Sequence, residues 1–411
     1  MKAVILCAGE GKRLRPLTYT TPKPMLYVAG KPIIAHLLIE LKKAGITEAV
    51  IVVKYLKEKI IEYLGKNNFG IKISFVEQKE RYGTGAALLY VKEKIKESFL
   101  MVAGDSLVDC RIIKTVINAH KKGIAVGIKN VKEPQNYGIV QISNGVITKI
   151  EEKPKNAKTT LANISVYMFE KNIFEKLEKI RPSVRGEYEI TDILLGAMAV
   201  EVEGFWADIA YPWELFDANE YLLKNSKSDT ELGTIENSTI NGKVILEKGA
   251  KIINSYIDGN SYIGKNTIIG PNAYLRGNNS IGNNCSVGGG TTIKNCILFD
   301  DVNAKHLAYL GDSIIGNKVN FGSGTQIANY RFDSSTVNVL TERKWINSKR
   351  KKLGVVVGDN TKFGVSSCTM PGKLIGNNCW IGSGAIINKN IEPNTKVFVR
   401  QEHILMKNEG E

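Results

Sequence analysis

The spacing of apolar positions along the chain changes character once. In residues 1–225, short continuous apolar runs alternate with stretches of helical period. Residues 3–8 form such a run, too short for a buried helix and suited to a central strand, and it stops at Gly9 and Gly11. Ile33, Ile34, Leu37, Leu38 and Leu41 then recur at helical spacing, with Gly45 placed as a C-terminal cap. Residues 49–53, 71–76 and 99–103 read as further strands, 56–64 and 213–223 as helices, and 124–169 as strands and turns. Strands alternating with helices predict a parallel sheet covered on both faces. Residues 226–234 are a polar linker.

Beyond the linker the period becomes six. Aliphatic residues stand at 240, 246, 252, 257, 263, 269, 275, 281, 287, 293 and 298, the spacing falling to five at 252 to 257 and at 293 to 298. Positions 304, 310, 315, 321 and 327 continue the series, residues 328–356 interrupt it, and it resumes at 357, 363, 369, 375, 381 and 387. This is the pattern of a hexapeptide-repeat parallel β-helix. Three hexads make a coil, so residues 18 apart should stack, Ile263 on Ile281 and Phe363 on Ile381. Glycine commonly follows the aliphatic residue and Asn pairs such as Asn283-Asn284 come next, residues that tolerate corner conformations. Four residues after the aliphatic position the side chain is small, which makes Cys285 and Cys379 core fillers.

Length and 43% hydrophobic content suffice for two or three domains with full cores. The formal charge is +15, but the basic residues are spread along the chain apart from 342–352, where six surround Trp345. A spread excess favours anionic small substrates over a nucleic-acid stripe. The six cysteines form no C-x-x-C pair, which suggests reduced thiols and no zinc site. The lack of a signal peptide and of a membrane-length apolar run points to a cytoplasmic protein with no membrane partner, and the spread charge to no nucleic-acid partner.

The richest chemistry lies where the first strand ends. Gly9 and Gly11 allow close approach of a phosphate to backbone N–H groups, and Lys12, Arg13, Arg15 and Lys23 follow at once. A Walker loop would need Ser or Thr where Arg13 stands, and a dinucleotide fingerprint would need a third glycine. Gln78, at the end of another strand, offers an amide to one edge of a base, while Gly83 and Thr84 open a helix beside it. Asp105, at the carboxyl end of a central strand, is placed to hold Mg²⁺, and Asp109 reads as a helix cap.

Residues 8–23, A-G-E-G-K-R-L-R-P-L-T-Y-T-T-P-K, resemble the signature of sugar-1-phosphate nucleotidylyltransferases. The resemblance implies an α/β domain with a Rossmann-like mixed sheet over residues 1–225, Mg²⁺ on Asp105 and Asp208, and UTP or dTTP held by Ala8, Gly9, Gly11, Gln78, Gly83 and Thr84. It assigns Arg13 and Lys23 to catalysis, and Gly138, Glu152, Lys153 and Asn163 to the sugar-1-phosphate. Two departures stand out: Ser165 where relatives carry Gly, and Ala210-Tyr211 where they carry Gly-Thr.

In the repeat region, A-K-H-L-A-Y-L-G-D, residues 304–312, is similar to the H-L-x-Y-L-G-D of bifunctional enzymes that acetylate a hexosamine-1-phosphate. By that likeness residues 235–411 form a left-handed β-helix acetyltransferase domain using acetyl-CoA. His306 is its base, and Arg276, Lys294, Tyr309 and Asn329 bind the acceptor. The likeness further implies a homotrimer with sites between subunits, where the cluster at 342–352 would meet phosphates. Two other readings share these motifs: a nucleotidylyltransferase whose β-helix only oligomerises or regulates, and a non-catalytic assembly subunit.

Overall fold

A computed structural model describes residues 1–80, 82–183 and 186–407. It divides into two compact units. One comprises residues 1–11, 20–27 and 31–210, and the other residues 12–19, 28–30 and 211 onward.

The first unit is built on a nine-stranded mixed sheet. In spatial order its strands are Lys72–Glu77, Glu48–Val53, Lys2–Cys7, Phe99–Ala103, Leu161–Phe169, Ile124–Asn130, Met198–Glu201, Val146–Glu152 and Gly138–Ser143. The first four are parallel, as the alternating pattern predicts. Leu161–Phe169 runs antiparallel to Phe99–Ala103 and makes the sheet mixed. Helix Ile33–Lys43 buries Ile34, Leu37, Leu38 and Leu41 against one face, and Gly45 at φ +90° closes it. Chain order reverses between Lys2–Cys7 and Phe99–Ala103. At such a switch point the loops after both strands diverge and leave a crevice, so the glycine loop and Asp105 emerge side by side. The approach is close: a Cβ on Gly104 would stand 2.2 Å from Cys7 Sγ, and Gly104 N–H donates to Leu6 O at 2.9 Å.

The second unit is the expected left-handed β-helix, three sheets of nine, eight and seven parallel strands. Every predicted aliphatic position from 240 to 387 lies in one of these strands. Ile263 pairs with Ile281 and Phe363 with Ile381, the 18-residue stacking read from the sequence. Cys285 and Cys379 are buried in the shared core, and burial pushes the Cys285 thiol up to about 12. All six cysteines are free.

The corners work differently from the sequence expectation, which gave glycine and asparagine one role. Asn266, Asn284, Asn360 and Asn378 are left-handed, but Gly264 and Gly282 are not. Those glycines are there for space: a Cβ on Gly264 would lie 2.5 Å from the carbonyl carbon of Gly282 in the next coil.

Helix Glu214–Asn225 sides with the second unit, although the sequence pattern groups it with the first domain. Its buried Asn219 donates to Asn278 O at 3.2 Å and accepts from Ala29 N–H at 2.9 Å within that unit. The interruption of the repeat contains a hairpin, Asn338–Thr341 with Lys344–Asn347, carrying exposed Trp345 at its turn end. One of its basic residues is structurally committed: Arg350 pairs with Asp217 at 2.8 Å and lies over the Phe216 ring.

Candidate active sites

In the first unit the site grows from the strand ends. Gly11 has φ +66°, and among the described residues no atom lies within 4 Å of where a Cβ on Gly9 would stand, so the loop leaves the backbone open. Ala8 packs half-buried beneath it. A short antiparallel pair, Trp206–Asp208 with Ser106–Val108, sets Asp208 opposite Ser106 and therefore beside Asp105. Lys23, held in a proline-flanked turn, points its ammonium between the two carboxylates, 2.5 Å from Asp105 Oδ2 and 3.5 Å from Asp208 Oδ1.

Burial alone would lower the Lys23 pKa. The two carboxylates outweigh it and raise it, keeping the cation charged. The Asp208 carboxyl ends above its ordinary value, because burial and the charge of Asp105 together exceed the pull of Lys23. One ammonium thus faces two carboxylates, and the surplus negative charge fits a divalent cation. Arg13 belongs to the other unit, where its guanidinium lies 5.9 Å from the Tyr211 ring, itself stacked on Trp213. Tyr211, one of the two departures noted in the sequence, is thus the residue beneath Arg13.

Gln78 is buried at the end of its strand and donates to Gly83 O at 3.3 Å. Gly83, at φ +106° and ψ 165°, precedes helix Thr84–Leu89 as expected. Residues 186–190 lie across it as a strap: Gly85 N–H donates to Tyr188 O, Tyr188 N–H to Tyr82 O, and Ile190 N–H to Thr84 Oγ1.

The sugar-side positions also converge. Gly138 pairs with Glu152 across two antiparallel strands, and Glu152 Oε2 would stand 3.0 Å from any Cβ at 138. Lys153 follows at φ +48°, its charge pulling the Asp208 carboxyl down. Asn163 sits at a register shift, donating to Tyr167 Oη at 2.8 Å and accepting from Ser165 N–H at 3.1 Å. Ser165 has φ +57°, a left-handed conformation that glycine adopts without strain. Burial pushes the Tyr167 phenol up to about 12, with hydrogen bonds from Asn163 and Ser165 opposing it. Neither Tyr167 nor the Tyr137–Trp206 ring pair, 5.2 Å between centroids, was singled out by sequence reasoning. The aromatic residues directly before Gly138 and two before Asp208 were the available signal.

In the β-helix one sheet carries Arg276, Lys294 and Tyr309 of the second set. Asp258, Arg276, Lys294 and Gly311 occupy equivalent positions of successive strands, as do Tyr256, Tyr274, Thr292 and Tyr309. Arg276 is exposed, and His306 lies in the exposed corner preceding strand Tyr309–Gly311. Lys294 Nζ bonds Asp312 Oδ2 at 2.8 Å, and the Asn329 amide donates both to that oxygen and to Tyr309 Oη, the latter at 3.3 Å. Burial raises the Tyr309 phenol, so it stays protonated. Gly311 has no room for a side chain, because a Cβ would lie 2.6 Å from Asn329 Nδ2 and 2.8 Å from Tyr309 Oη. Asp312 is the member that sequence reasoning left without a role. The coil period was its signal, since 312 is 18 residues after Lys294.

Comparison with known proteins follows the same two halves. The Nucleotidyl transferase family model matches residues 2–225, and the GMPPB C-terminal domain model matches residues 257–362. The chain is 41% identical to the bifunctional protein GlmU of Methanocaldococcus jannaschii, over 99% of this chain and 100% of that one. It is 37% identical to a bifunctional sugar-1-phosphate nucleotidylyltransferase/acetyltransferase of Sulfurisphaera tokodaii, over 95% and 98%. A crystal structure of a putative glucose-1-phosphate thymidylyltransferase from Bacillus anthracis superposes with a TM-score of 0.50 at 30% identity, over 56% of this chain and 97% of that one. With relatives of this identity matching from end to end, the chain belongs to the GlmU family of bifunctional sugar-1-phosphate nucleotidylyltransferases and acetyltransferases.

Proposed function

We propose that residues 1–225 transfer a nucleotidyl group from UTP or dTTP to N-acetylglucosamine-1-phosphate or glucose-1-phosphate. Residues 235–411 then supply acetyl transfer from acetyl-CoA to glucosamine-1-phosphate or galactosamine-1-phosphate, with 226–234 as the linker. In the first reaction a phosphate oxygen of the sugar attacks the α-phosphorus. The bond to the β-bridging oxygen breaks, and pyrophosphate leaves in line. Catalysis of this kind is chiefly positioning and charge stabilisation. Lys23 and Arg13 offset the triphosphate charge, the open backbone at Gly9 and Gly11 with Ala8 receives phosphate oxygens, and Gln78 with Gly83 and Thr84 orients the base. Gly138, Glu152, Lys153 and Asn163 take the sugar phosphate. Asp105 and Asp208 would hold Mg²⁺, which when bound neutralises phosphate charge.

In the second reaction the free amine of the hexosamine forms a bond to the thioester carbonyl carbon, the C–S bond breaks and the coenzyme A thiol leaves. His306 accepts the amine proton and can return it to the thiolate. Arg276, Lys294, Tyr309 and Asn329 orient the acceptor, in a homotrimer acting in the cytoplasm. Among the described residues no helix is long and apolar enough to cross a membrane.

The observation that carries this reading is the Lys23 ammonium set between Asp105 and Asp208 at the strand ends. The test is His306→Ala, assayed for both activities on one preparation. Thiol release should fall by roughly 10² to 10⁴, the range for a lost general base, with pyrophosphate release intact. Equal loss of both would mean misfolding, and loss of neither would leave the β-helix a scaffold.

A further inference from the structure

Three of the proposed acceptor-binding groups share one buried anchor. The carboxylate of Asp312, 3% exposed, accepts from Lys294 Nζ at 2.8 Å, from Asn295 Nδ2 at 3.2 Å and from Asn329 Nδ2, and the same Asn329 amide continues to Tyr309 Oη. Its backbone is fixed as well. Asp312 N–H donates to Lys294 O at 2.7 Å, Gly354 N–H donates to Asp312 O at 2.8 Å, and the residue holds φ +47°.

We infer that Asp312 is a positioning residue for the acetyl acceptor: it fixes Lys294 and Asn329 directly, and Tyr309 through Asn329, in the arrangement that receives the amino-sugar phosphate. This inference rests on the acetyl-transfer reading and extends it to a residue that touches no substrate.

The physical case has three parts. A lysine side chain has many rotamers, and holding its head in advance removes an ordering cost that binding would otherwise carry. The amide of Asn329 has two possible orientations, and a carboxylate partner selects the one that presents N–H to Asp312 and to the phenol oxygen. Tyr309, accepting from that amide, then has its hydroxyl proton directed elsewhere as a donor. The pairing also divides the labour between the cations. The charge of Lys294 is already met by Asp312, whereas Arg276 one coil earlier is exposed, so Arg276 supplies the net positive charge for the phosphate and Lys294 supplies a directed N–H.

The test is Asp312→Asn, a change of equal shape in a residue type that tolerates a left-handed backbone. KM for glucosamine-1-phosphate should rise about 10- to 100-fold, with KM for acetyl-CoA within about 2-fold of wild type. Pyrophosphate release by the same preparation should be unchanged. Because Asp312 acts through its partners, Asn329→Ala combined with Asp312→Asn should lose much less than the product of the two single losses. If Asp312→Asn does not fold, Asn295→Ala, which removes one donor to the carboxylate from outside the acceptor set, should raise the same KM by a smaller factor. An unchanged acceptor KM in folded variants, or losses that multiply, would overturn the positioning role while the acetyl-transfer reading stood. A wild-type protein that releases pyrophosphate but acetylates no amino-sugar phosphate would overturn that reading, and the role of Asp312 with it.

Discussion

Replacing Gly83 by alanine tests whether the strap over the loop proposed to hold the nucleotide matters for catalysis. The backbone at Gly83, φ +106° and ψ 165°, is essentially restricted to glycine, and forcing another residue there costs on the order of 1–3 kcal/mol. The new Cβ would lie 2.4 Å from Tyr188 O and 2.6 Å from Tyr188 N, backbone atoms that cannot rotate away. The least expensive relief is to lift residues 186–190, which gives up three hydrogen bonds at about 1 kcal/mol each. That total, about 3 kcal/mol, is well below the ~5–15 kcal/mol that holds a domain together. Local release should therefore win over global unfolding. The amides of Gly85, Tyr188 and Ile190 should lose hydrogen-exchange protection, and kcat/KM for the nucleoside triphosphate should fall about 10²-fold, equivalent to ~2.7 kcal/mol. Thiol release should not change. Full protection at Tyr188 with normal nucleotide kinetics would refute the steric argument, and lost protection with normal kinetics would show that the strap is not part of the nucleotide site.

Three further predictions concern the paired carboxylates and the β-helix. Asp208→Asn should cut nucleotidyl transfer by about 10² or more, measured as Mg²⁺-dependent pyrophosphate release; undiminished activity would remove Asp208 from the metal site. Since the Asp208 carboxyl is raised, the folded state keeps a proton that the unfolded chain releases. Without metal, stability should then fall as pH rises from the ordinary value of 3.8 through the raised one, and Asp208→Asn should flatten that slope in thermal unfolding. Light scattering of the full chain should give a trimer, and a monomer that still acetylates would refute assembly-dependent sites.

The fold was legible because its two halves use different periods. Runs such as 99–103 are too short for a buried helix, and every position that the six-residue spacing marked from 240 to 387 lies in a strand, while the first and last strands, Thr234–Glu236 and Lys396–Val397, fell outside the series. What the pattern could not separate was glycine for conformation from glycine for space, since both read as Gly; only the neighbouring coil distinguishes Gly264 from Asn266. Helix Glu214–Asn225 was legible as a helix, but its partners were not, because the contacts of Asn219 with Asn278 and of Asp217 with Arg350 join residues far apart in sequence. In the sites, the carboxylate at a strand end announced Asp105, and the run of cations after the glycine loop announced Lys23. Asp312 stayed hidden because its work is done through residues 17 and 18 positions away, a relation that appears only when the coil is closed.

The interruption of the repeat has an evolutionary consequence. Ile315 pairs with Val357 across 42 residues as regularly as Leu298 pairs with Ile315 across 17, so the hairpin between them leaves no mark on the ladder. Closing the longer loop costs only about 0.8 kcal/mol more by chain entropy. Each coil depends on its immediate neighbours alone, so a corner is a place where sequence can be added, shortened or exchanged without renegotiating the core. The scaffold can therefore hold its geometry while the segments carried at its corners change in length and composition.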